Sequence, residues 1–299
     1  GLVILDEGHQ FDSGSRGITY ELLLTELKMS LNATTQFVLI SAVISNAEQI
    51  GRWLYGEKGI AIHSLENLST SKTVAYTNWQ TELGQLHYID PDMDNRSYFV
   101  PRLIKRLPLD LRGKESKERF FPEKTPNDIA SYLGIILCQQ HTTAIFCGQA
   151  RTVRSICEII VDAYSRGYTY RSSPANISNQ EELVKIYNLS ALHLGQDYVF
   201  SQAINFGILP HGASVPNGIR VASEWAIANH KANLIVCTST LAQGVNLPLK
   251  YLVVSNIYQG KEQISTRDFQ NLAGRVGRSG YFTEGDIIFA DNQVFEERS

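Results

Sequence analysis

Cysteine is scarce in this sequence, and its placement argues against a metal-binding role. The four cysteines, Cys138, Cys147, Cys157 and Cys237, form no CxxC pair and have no histidine nearby at metal-ligand spacing. Such usage is typical of a reducing compartment. We therefore interpret all four as reduced core residues of a cytoplasmic protein.

Long apolar runs and a strong net charge are also missing. No apolar stretch approaches the roughly 20 residues that a membrane span needs, and the opening run 2–5 is too short for a signal peptide. The net charge is only −3, so any surface for nucleic acid has to be a local basic stripe. The 299 residues, 43% hydrophobic and 19% charged, are typical of a soluble protein with room for two domains and no membrane partner.

Strand and helix patterns alternate in the first 64 residues. The aliphatic run 2–5 predicts a buried parallel strand that ends at Asp6. A helix is predicted over 19–31, a second strand over 36–40, and a further helix over 46–55 with Ser45 or Asn46 as its N-cap. A strand–helix–strand unit of this kind favours a right-handed crossover and parallel pairing.

Two further patterns follow. Residues 65–125 alternate apolar and polar side chains between turn residues, which predicts short antiparallel strands forming a connector or an insertion. Within them, the stretch 112–124 holds five basic and three acidic residues and is interpreted as a solvated linker. From 126 to 299, helices alternate with aliphatic strands at 143–147, 234–238, 251–256 and 286–290, which predicts a doubly wound α/β domain.

The tetrapeptide Asp6-Glu7-Gly8-His9 follows the first predicted strand directly. Parallel sheets bind their ligands at the carboxyl ends of their strands. A magnesium ion prefers oxygen ligands and retains water, so Asp6 is suited to hold it directly or through water, while Glu7 orients and deprotonates an attacking water. Taken alone, an acidic pair after a strand is equally typical of an ordinary loop start.

Two strings in the second half carry groups that suit phosphates. The string 240–248 follows the strand at 234 and offers hydroxyl groups, a glycine and an asparagine, which allow a backbone to lie against phosphate. The string 270–278 reads Gln-x-x-x-Gly-Arg-x-Gly-Arg. On one short helix, Arg275 and Arg278 would point into a single cleft. Their permanent charge and planar donors suit phosphate oxygens.

Taken together, these motifs resemble the superfamily 2 DExH helicases, in particular the superkiller-type branch. The matching stretches are 6–9, Arg16-Gly17 with Glu21, 41–43, 145–151, 210–213, 240–248 and 270–278, and they span nearly the whole chain. The resemblance implies two RecA-like domains, each a doubly wound parallel sheet, with the first incomplete and a short β-rich segment joining them. The implied divisions are 1–64, 65–125 and 126–299.

The resemblance also implies a role for each matching residue. The catalytic set, with Asp6 and Glu7 serving Mg²⁺ and water and the arginines serving the ATP phosphates, is Asp6, Glu7, His9, Gln270, Arg275 and Arg278. The residues that join the state of the nucleotide to the grip on nucleic acid are Ser41, Gly244 and Asn246. The residues on the nucleic-acid path or its support are Arg151, His211 and Thr240.

One element of the family is missing from the sequence. No GxxxxGK[ST] phosphate loop occurs anywhere in it. Backbone amides and a lysine at the phosphates supply much of the electrostatic stabilisation of ATP hydrolysis. We therefore expect the 299 residues to be a partial motor that hydrolyses ATP negligibly alone and acts within a longer protein.

Three functions remain open at this point. The leading one is an ATP-dependent helicase or translocase that uses ATP and Mg²⁺ to ratchet single-stranded nucleic acid, with DNA favoured over RNA. The second is a non-catalytic scaffold with a motor-like fold, against which the retention of Asp6, Glu7 and Arg275 speaks. The third is the motor subunit of a nuclease or anti-phage defence complex, which would add an accessory subunit as a partner.

Overall fold

In a computed structural model of the protein, the described residues are 1–6, 8, 15–32, 34–41, 46–62, 70–80, 83–89, 97–242, 247–259, 262–278 and 280–296. The chain divides into two compact units, residues 1–68 and residues 69–299. The divisions at 64 and 125 that the resemblance implies stay predictions.

Unit 1 has a strand–helix–strand–helix order. Strands β1 (Leu2–Leu5) and β2 (Gln36–Leu39) pair in parallel, with Leu5 opposite Leu39, which confirms the predicted pairing. Helix α1 (Ser15–Ser30) joins them, and α2 (Ala47–Tyr55) follows. Asn46 is the N-cap of α2, but its side chain makes no capping hydrogen bond, so the predicted cap is right in position only.

Unit 2 is built on an eight-stranded, mostly parallel sheet. Its strands and two short hairpins are β3 (Ser71–Gln80), β4 (Leu83–Ile89), β5 (Ser97–Lys105), β6 (Leu107–Leu109), β7 (Arg119–Phe121), β8 (Thr143–Phe146), β9 (Ile208–His211), β10 (Leu234–Cys237), β11 (Tyr251–Val254), β12 (Tyr258–Gln259), β13 (Glu262–Gln263) and β14 (Glu284–Phe289). The order in the main sheet is β5-β4-β3-β14-β11-β8-β10-β9. Within this sheet, the pairs β3–β4 and β4–β5 are antiparallel, and β6–β7 and β12–β13 form separate antiparallel pairs.

The helices of unit 2 connect these strands. They are α3 (Pro126–Leu137), α4 (Ala150–Ser165), α5 (Gln180–Leu194), α6 (Val199–Asn205), α7 (Asn217–Ala228), α8 (Thr266–Ala273) and α9 (Asn292–Glu296). Sequence explains where α3 begins: the Thr125 hydroxyl accepts a 3.2 Å hydrogen bond from the amide of Asp128, and Pro126 occupies the first turn, where its missing N–H costs nothing. The mixed α/β class with a mostly parallel sheet confirms the predicted fold class.

The core of unit 2 lies around the central strands. Every residue of β8, β10 and β11 is buried, as continuous aliphatic runs predict for strands covered on both faces. The four cysteines are free buried thiols, and burial raises the pKa of Cys138 to about 12. Among the described helices, none is long and apolar enough to cross a membrane.

The partner of β3 and the edge position of β9 are long-range features of the main sheet that local sequence patterns do not predict. Strand β3 pairs in parallel with β14, with Val74 opposite Ile287, so the β-rich segment continues the main sheet. Strand β9 contains Pro210 and forms one edge of that sheet. Edge strands tolerate a proline because the N–H that it lacks is not needed by a second neighbour.

Candidate nucleotide and nucleic-acid sites

Asp6 lies at the carboxyl end of β1, beside the end of β2. The amide of Ile40 donates to the carbonyl of Leu5 at 2.8 Å, and the amide of Gly8 donates to the carbonyl of Ile40 at 2.9 Å. The Tyr20 hydroxyl of α1 donates to the Asp6 carbonyl at 3.2 Å. The start of the acidic tetrapeptide is therefore held at the end of the sheet. Glu7 and His9 lie outside the described residues.

The glycine of the tetrapeptide is required by a close approach. A Cβ atom at Gly8 would lie 2.7 Å from Cγ of Leu39 in β2, which is closer than real Cβ contacts. Any larger residue would have to displace Leu39 and β2 or move the backbone of Gly8 itself. The sequence shows the glycine, but the neighbour that demands it becomes visible only in the folded chain.

Ser41 follows β2 and supplies a second polar group at the same end of the two-stranded sheet. Its Oγ is buried and has no hydrogen-bond partner among the described residues. A buried hydroxyl is normally paired, so this one fits a site completed by a ligand or water. Asp6 and Ser41 together fit Mg²⁺ with a nucleotide, because Mg²⁺ is bound by one or two carboxylates plus phosphate oxygens and water.

Among the described residues, no group of three His, Cys, Asp or Glu side chains is placed to hold a metal ion. A Mg²⁺ ion that arrives with its nucleotide needs no such cluster, because phosphate oxygens and water fill most of its coordination sites.

In unit 2, three of the singled-out motifs follow neighbouring parallel strands. Strand β8 leads to Arg151 in the first turn of α4, β9 ends at His211, and β10 leads to Thr240. Because β8, β10 and β9 are adjacent and parallel, these segments leave the sheet along one edge. The Arg151 side chain is exposed there, at a helix N-terminus, which is a favourable place for phosphate. The side chain of Thr240, and both Gly244 and Asn246, lie outside the described residues.

His211 is buried, unlike Arg151. Its side chain is 2% exposed, and Nε2 lies 2.6 Å from Oε1 of Glu224 on α7. Burial lowers the pKa of His211, and the Glu224 carboxylate opposes that shift. The carbonyl of His211 accepts a 3.3 Å hydrogen bond from the amide of Thr238, where the loop after β10 begins. His211 is therefore placed to support that loop, and its ring does not reach the surface.

Arg275 and Arg278 do not share a helix, so that part of the sequence interpretation is wrong. Helix α8 contains Gln270 and ends at Ala273. Val276 then forms a parallel bridge with Leu249, and the Gly277 amide donates to the Leu249 carbonyl at 2.8 Å. The helical spacing of the two arginines is lost because the backbone between them pairs with Leu249, just before β11.

Gly277 fixes the path of the chain between the two arginines. Its φ is +62°, a left-handed value that favours glycine. A Cβ atom there would lie 2.6 Å from the amide nitrogen of Gly285 at the start of β14. Two backbones thus meet with no side chain between them, and Arg278 leaves this contact exposed while Arg275 is half-buried.

The segment from α8 to Gly277 runs along β14 from its carboxyl end towards its amino end. Phe269, next to Gln270, stacks on Phe289 at the carboxyl end of β14 with ring centroids 5.8 Å apart. Gly277 instead contacts Gly285, four residues earlier in β14. At about 3.3 Å per strand residue, the two contacts are about 13 Å apart. The chain near Phe269 therefore lies by the carboxyl end of β14, and the backbone of Gly277 lies by its amino end.

Comparison with known proteins places these motifs in a family context. No protein-family model matches the chain. It is 28% identical to the Hachiman protein HamB of Bacillus cereus and 26% identical to the human helicase POLQ-like, over 97% and 96% of the chain. It is 24% identical over its whole length to the ATP-dependent DNA helicase Hel308 of Methanococcus vannielii.

The chain spans only part of each relative. It covers 26% of HamB, 24% of the human helicase and 36% of the archaeal helicase. These relatives are superfamily 2 helicases. The similarity extends over nearly all of this chain and over about a quarter to a third of each relative. The resemblance of the chain to superfamily 2 helicases is thereby confirmed.

Proposed function

We propose that this chain is part of an ATP-dependent helicase or translocase motor that acts on nucleic acid, with single-stranded DNA favoured. The observation that carries the proposal is the edge at which β8, β9 and β10 end, since it brings the motifs around Arg151, His211 and Thr240 together. The names of the relatives, which include an ATP-dependent DNA helicase, support it.

In this proposal, the residues at the end of β1 serve the nucleotide. Asp6 holds Mg²⁺ directly or through water, and Glu7 acts on the attacking water, while His9 and Ser41 transmit the state of the nucleotide. Bound ATP supplies the phosphoryl group that is transferred to water. Glu7 orients that water and accepts its proton, which is the contribution that a general base makes.

The residues of unit 2 serve the phosphates and the strand. Arg275 and Arg278 act on the ATP phosphates, where arginine supplies a permanent charge, and Gln270 lies near the attacking water. Arg151 and the backbone at Thr240 contact the sugar–phosphate backbone, and Gly244 and Asn246 link that grip to ATP. His211 supports the loop that contains Thr240, because its carbonyl accepts a hydrogen bond from the amide of Thr238.

We also propose that ATP turnover belongs to the full-length protein. The chain spans about a quarter of HamB and of the human helicase, which supports a longer motor. The phosphate loop that ATP hydrolysis needs in this family does not occur in the 299 residues.

The test is the ATPase activity of the full-length protein with single-stranded DNA and single-stranded RNA supplied separately. Stimulation by DNA above RNA is expected, and stimulation by neither would refute the motor function. Glu7→Gln is expected to cut turnover by orders of magnitude while leaving ATP binding intact. The matched control is Glu26→Gln, which neutralises an exposed glutamate on α1 and should leave turnover unchanged.

A second candidate is the motor subunit of a nuclease or defence complex, and the similarity to the Hachiman protein HamB favours it. Purification of the tagged full-length protein from its own host should then recover a nuclease subunit at a fixed ratio. Recovery of the motor alone, with full nucleic-acid-stimulated ATPase activity, would exclude this candidate.

A further inference from the structure

The corner at which β9 ends, formed by His211 and Gly212, lies between helix α4 and the loop after β10. A Cβ atom at Gly212 would lie 3.4 Å from Oγ1 of Thr238 and 4.0 Å from Cγ2 of Val153. Val153 is on α4, two residues after Arg151, and Thr238 begins the loop after β10. The spacing between α4 and that loop therefore depends on the position of the corner.

The sheet holds this corner from one side. Strand β9 is an edge of the main sheet, and β10 is the neighbour that pairs with it. At the corner, the carbonyl of His211 accepts from the amide of Thr238 at 3.3 Å, which is at the long end of the range for such bonds. A side chain that ties the corner to a second element therefore adds a constraint that the sheet does not supply.

The side chain of His211 makes that second tie. Its Nε2 lies 2.6 Å from Oε1 of Glu224, which is on α7. The Glu224 side chain is only 21% exposed, so little water competes for this bond. Hydrogen bonds to a carboxylate are roughly twice as strong as those between neutral groups. The bond therefore holds the end of β9 against α7, across the loop 212–216.

The same bond sets the tautomer of the His211 ring. Burial holds the pKa of His211 below its usual value, so the imidazole is neutral at pH 7 and carries a single N–H. A carboxylate only accepts, so that proton lies on Nε2 and Nδ1 is an acceptor. Nδ1 is buried and has no hydrogen-bond partner among the described residues. The ring is therefore held from its Nε2 side, where an oxygen acceptor is required.

We propose that Glu224 is a positioning residue for the nucleic-acid path. By binding His211 it fixes the corner at the end of β9, and through the corner it fixes the spacing between Arg151 and the loop that contains Thr240. The proposal rests on the proposed nucleic-acid function and adds a residue to it.

A fixed spacing matters because the two elements grip one strand. Groups that contact the same sugar–phosphate backbone act together only when their spacing matches that of the strand, and ordering them on binding costs affinity. Loss of the bond between Glu224 and His211 should therefore weaken the grip on nucleic acid. The groups proposed to act on ATP keep their own places, so their chemistry should be retained once the strand is bound.

The experiment measures the ATPase activity of the full-length protein and of its Glu224→Ala variant while oligodeoxythymidylate, or oligouridylate where RNA stimulates more, is titrated at saturating ATP. The half-saturating oligonucleotide concentration should rise roughly 2- to 30-fold, the range for a residue that acts without touching the ligand. Turnover at saturating oligonucleotide and the KM for ATP should stay close to the wild-type values. A merely structural defect would instead lower turnover in proportion to the unfolded fraction and leave the half-saturating concentration unchanged.

Two conservative variants separate the hydrogen bond from the charge. Glu224→Gln keeps an oxygen that accepts from Nε2–H, so it should restore the wild-type half-saturating concentration. Glu224→Asp keeps the charge but is shorter by one methylene group, so it should behave like Glu224→Ala. This pair also carries the test where Glu224→Ala does not fold.

The matched control is Ser190→Ala, which also removes one partner of a buried hydrogen bond, here the 2.8 Å bond between the hydroxyls of Ser190 on α5 and Ser201 on α6. It should destabilise the fold in the same way but leave the half-saturating concentration unchanged. A wild-type half-saturating concentration in Glu224→Ala or Glu224→Asp would overturn the proposal, as would an equal rise in Glu224→Gln or Ser190→Ala. A wild-type protein that neither single-stranded DNA nor RNA stimulates would overturn the proposed function as well.

Discussion

Gly277 offers a stringent test of the geometry around the arginine motif. In Gly277→Ala, the new Cβ atom would lie 2.6 Å from the nitrogen of Gly285 and 2.9 Å from the carbonyl carbon of Glu284. Both neighbours are backbone atoms, so neither can rotate away as the end of a side chain would. The alanine would also have to adopt a φ of +62°. Two separable costs therefore act at one position.

The magnitudes follow from these two costs. A left-handed backbone costs a non-glycine residue about 1–2 kcal/mol, and overpacking against fixed atoms costs about 1–3 kcal/mol. Replacing glycine also restricts the unfolded chain, which offsets about 0.4–1 kcal/mol. Gly277→Ala should therefore lower the free energy of unfolding by about 1–4.6 kcal/mol.

The matched control is Gly113→Ala, because Gly113 has a φ of +56° and no atom within 4 Å of the added Cβ. It should cost only the conformational part, about 1 kcal/mol after the offset. The measurement is urea unfolding of each variant, with midpoints compared at a common slope. A loss for Gly277→Ala no larger than that for Gly113→Ala would refute the close approach of the two backbones.

The same substitution should affect the proposed activity. Arg278 directly follows the displaced residue, and a misplacement of about 1 Å in a group that acts on a reacting centre can cost about 100-fold in rate. The full-length Gly277→Ala protein should therefore lose most of its nucleic-acid-stimulated ATP turnover. Gly113→Ala should retain that turnover, which separates a local displacement from general destabilisation.

Three other perturbations test separate contacts. Gly8→Ala should lower the free energy of unfolding by about 1–3 kcal/mol because Cγ of Leu39 lies 2.7 Å from the added Cβ. In the same urea assay, the double variant Gly8→Ala/Leu39→Ala should lose less than the sum of the two single losses. Glu224→Ala leaves Nε2 of buried His211 unpaired and should cost about 1–3 kcal/mol by urea unfolding, whereas Glu181→Ala on the exposed face of α5 should not. The hydrogen bond from Arg166 lowers the pKa of Glu115 to about 2, so this carboxylate stabilises the fold above about pH 4.5 and ceases to do so as pH falls through about 2. In Glu115→Gln, the urea midpoint should therefore depend less on pH between these two values. An unchanged pH dependence would contradict the ion pair.

The parts of the fold that sequence predicts are those whose signal is local. The strands at 143, 234 and 251 are continuous aliphatic runs, and all three are buried in the middle of the sheet. Strand β3 was predicted as a strand from its alternation, but its pairing with β14 joins residues more than 200 positions apart. No local pattern encodes that partner.

The site residues divide in the same way. That Asp6 follows a strand is readable from the aliphatic run before it. The burial of His211 was not readable, because it depends on Glu224, which reaches it from α7. The helical spacing of Arg275 and Arg278 suggested one helix, but the bridge from Val276 to Leu249 interrupts it. In both cases a tertiary contact overrides what spacing alone suggests.

Two glycines in the singled-out motifs show how such contacts position charged residues. Gly8 is enclosed by Leu39, and Gly277 lies against Gly285. Each stands between polar or charged residues of its motif, so a close approach at the glycine limits where its neighbours' side chains can begin. A glycine at these points is therefore not a flexible joint, because other atoms enclose the backbone closely there. Placement of the charged groups then depends on packing at the glycine, and substitutions in its neighbours, such as Leu39, should move them without touching a charge.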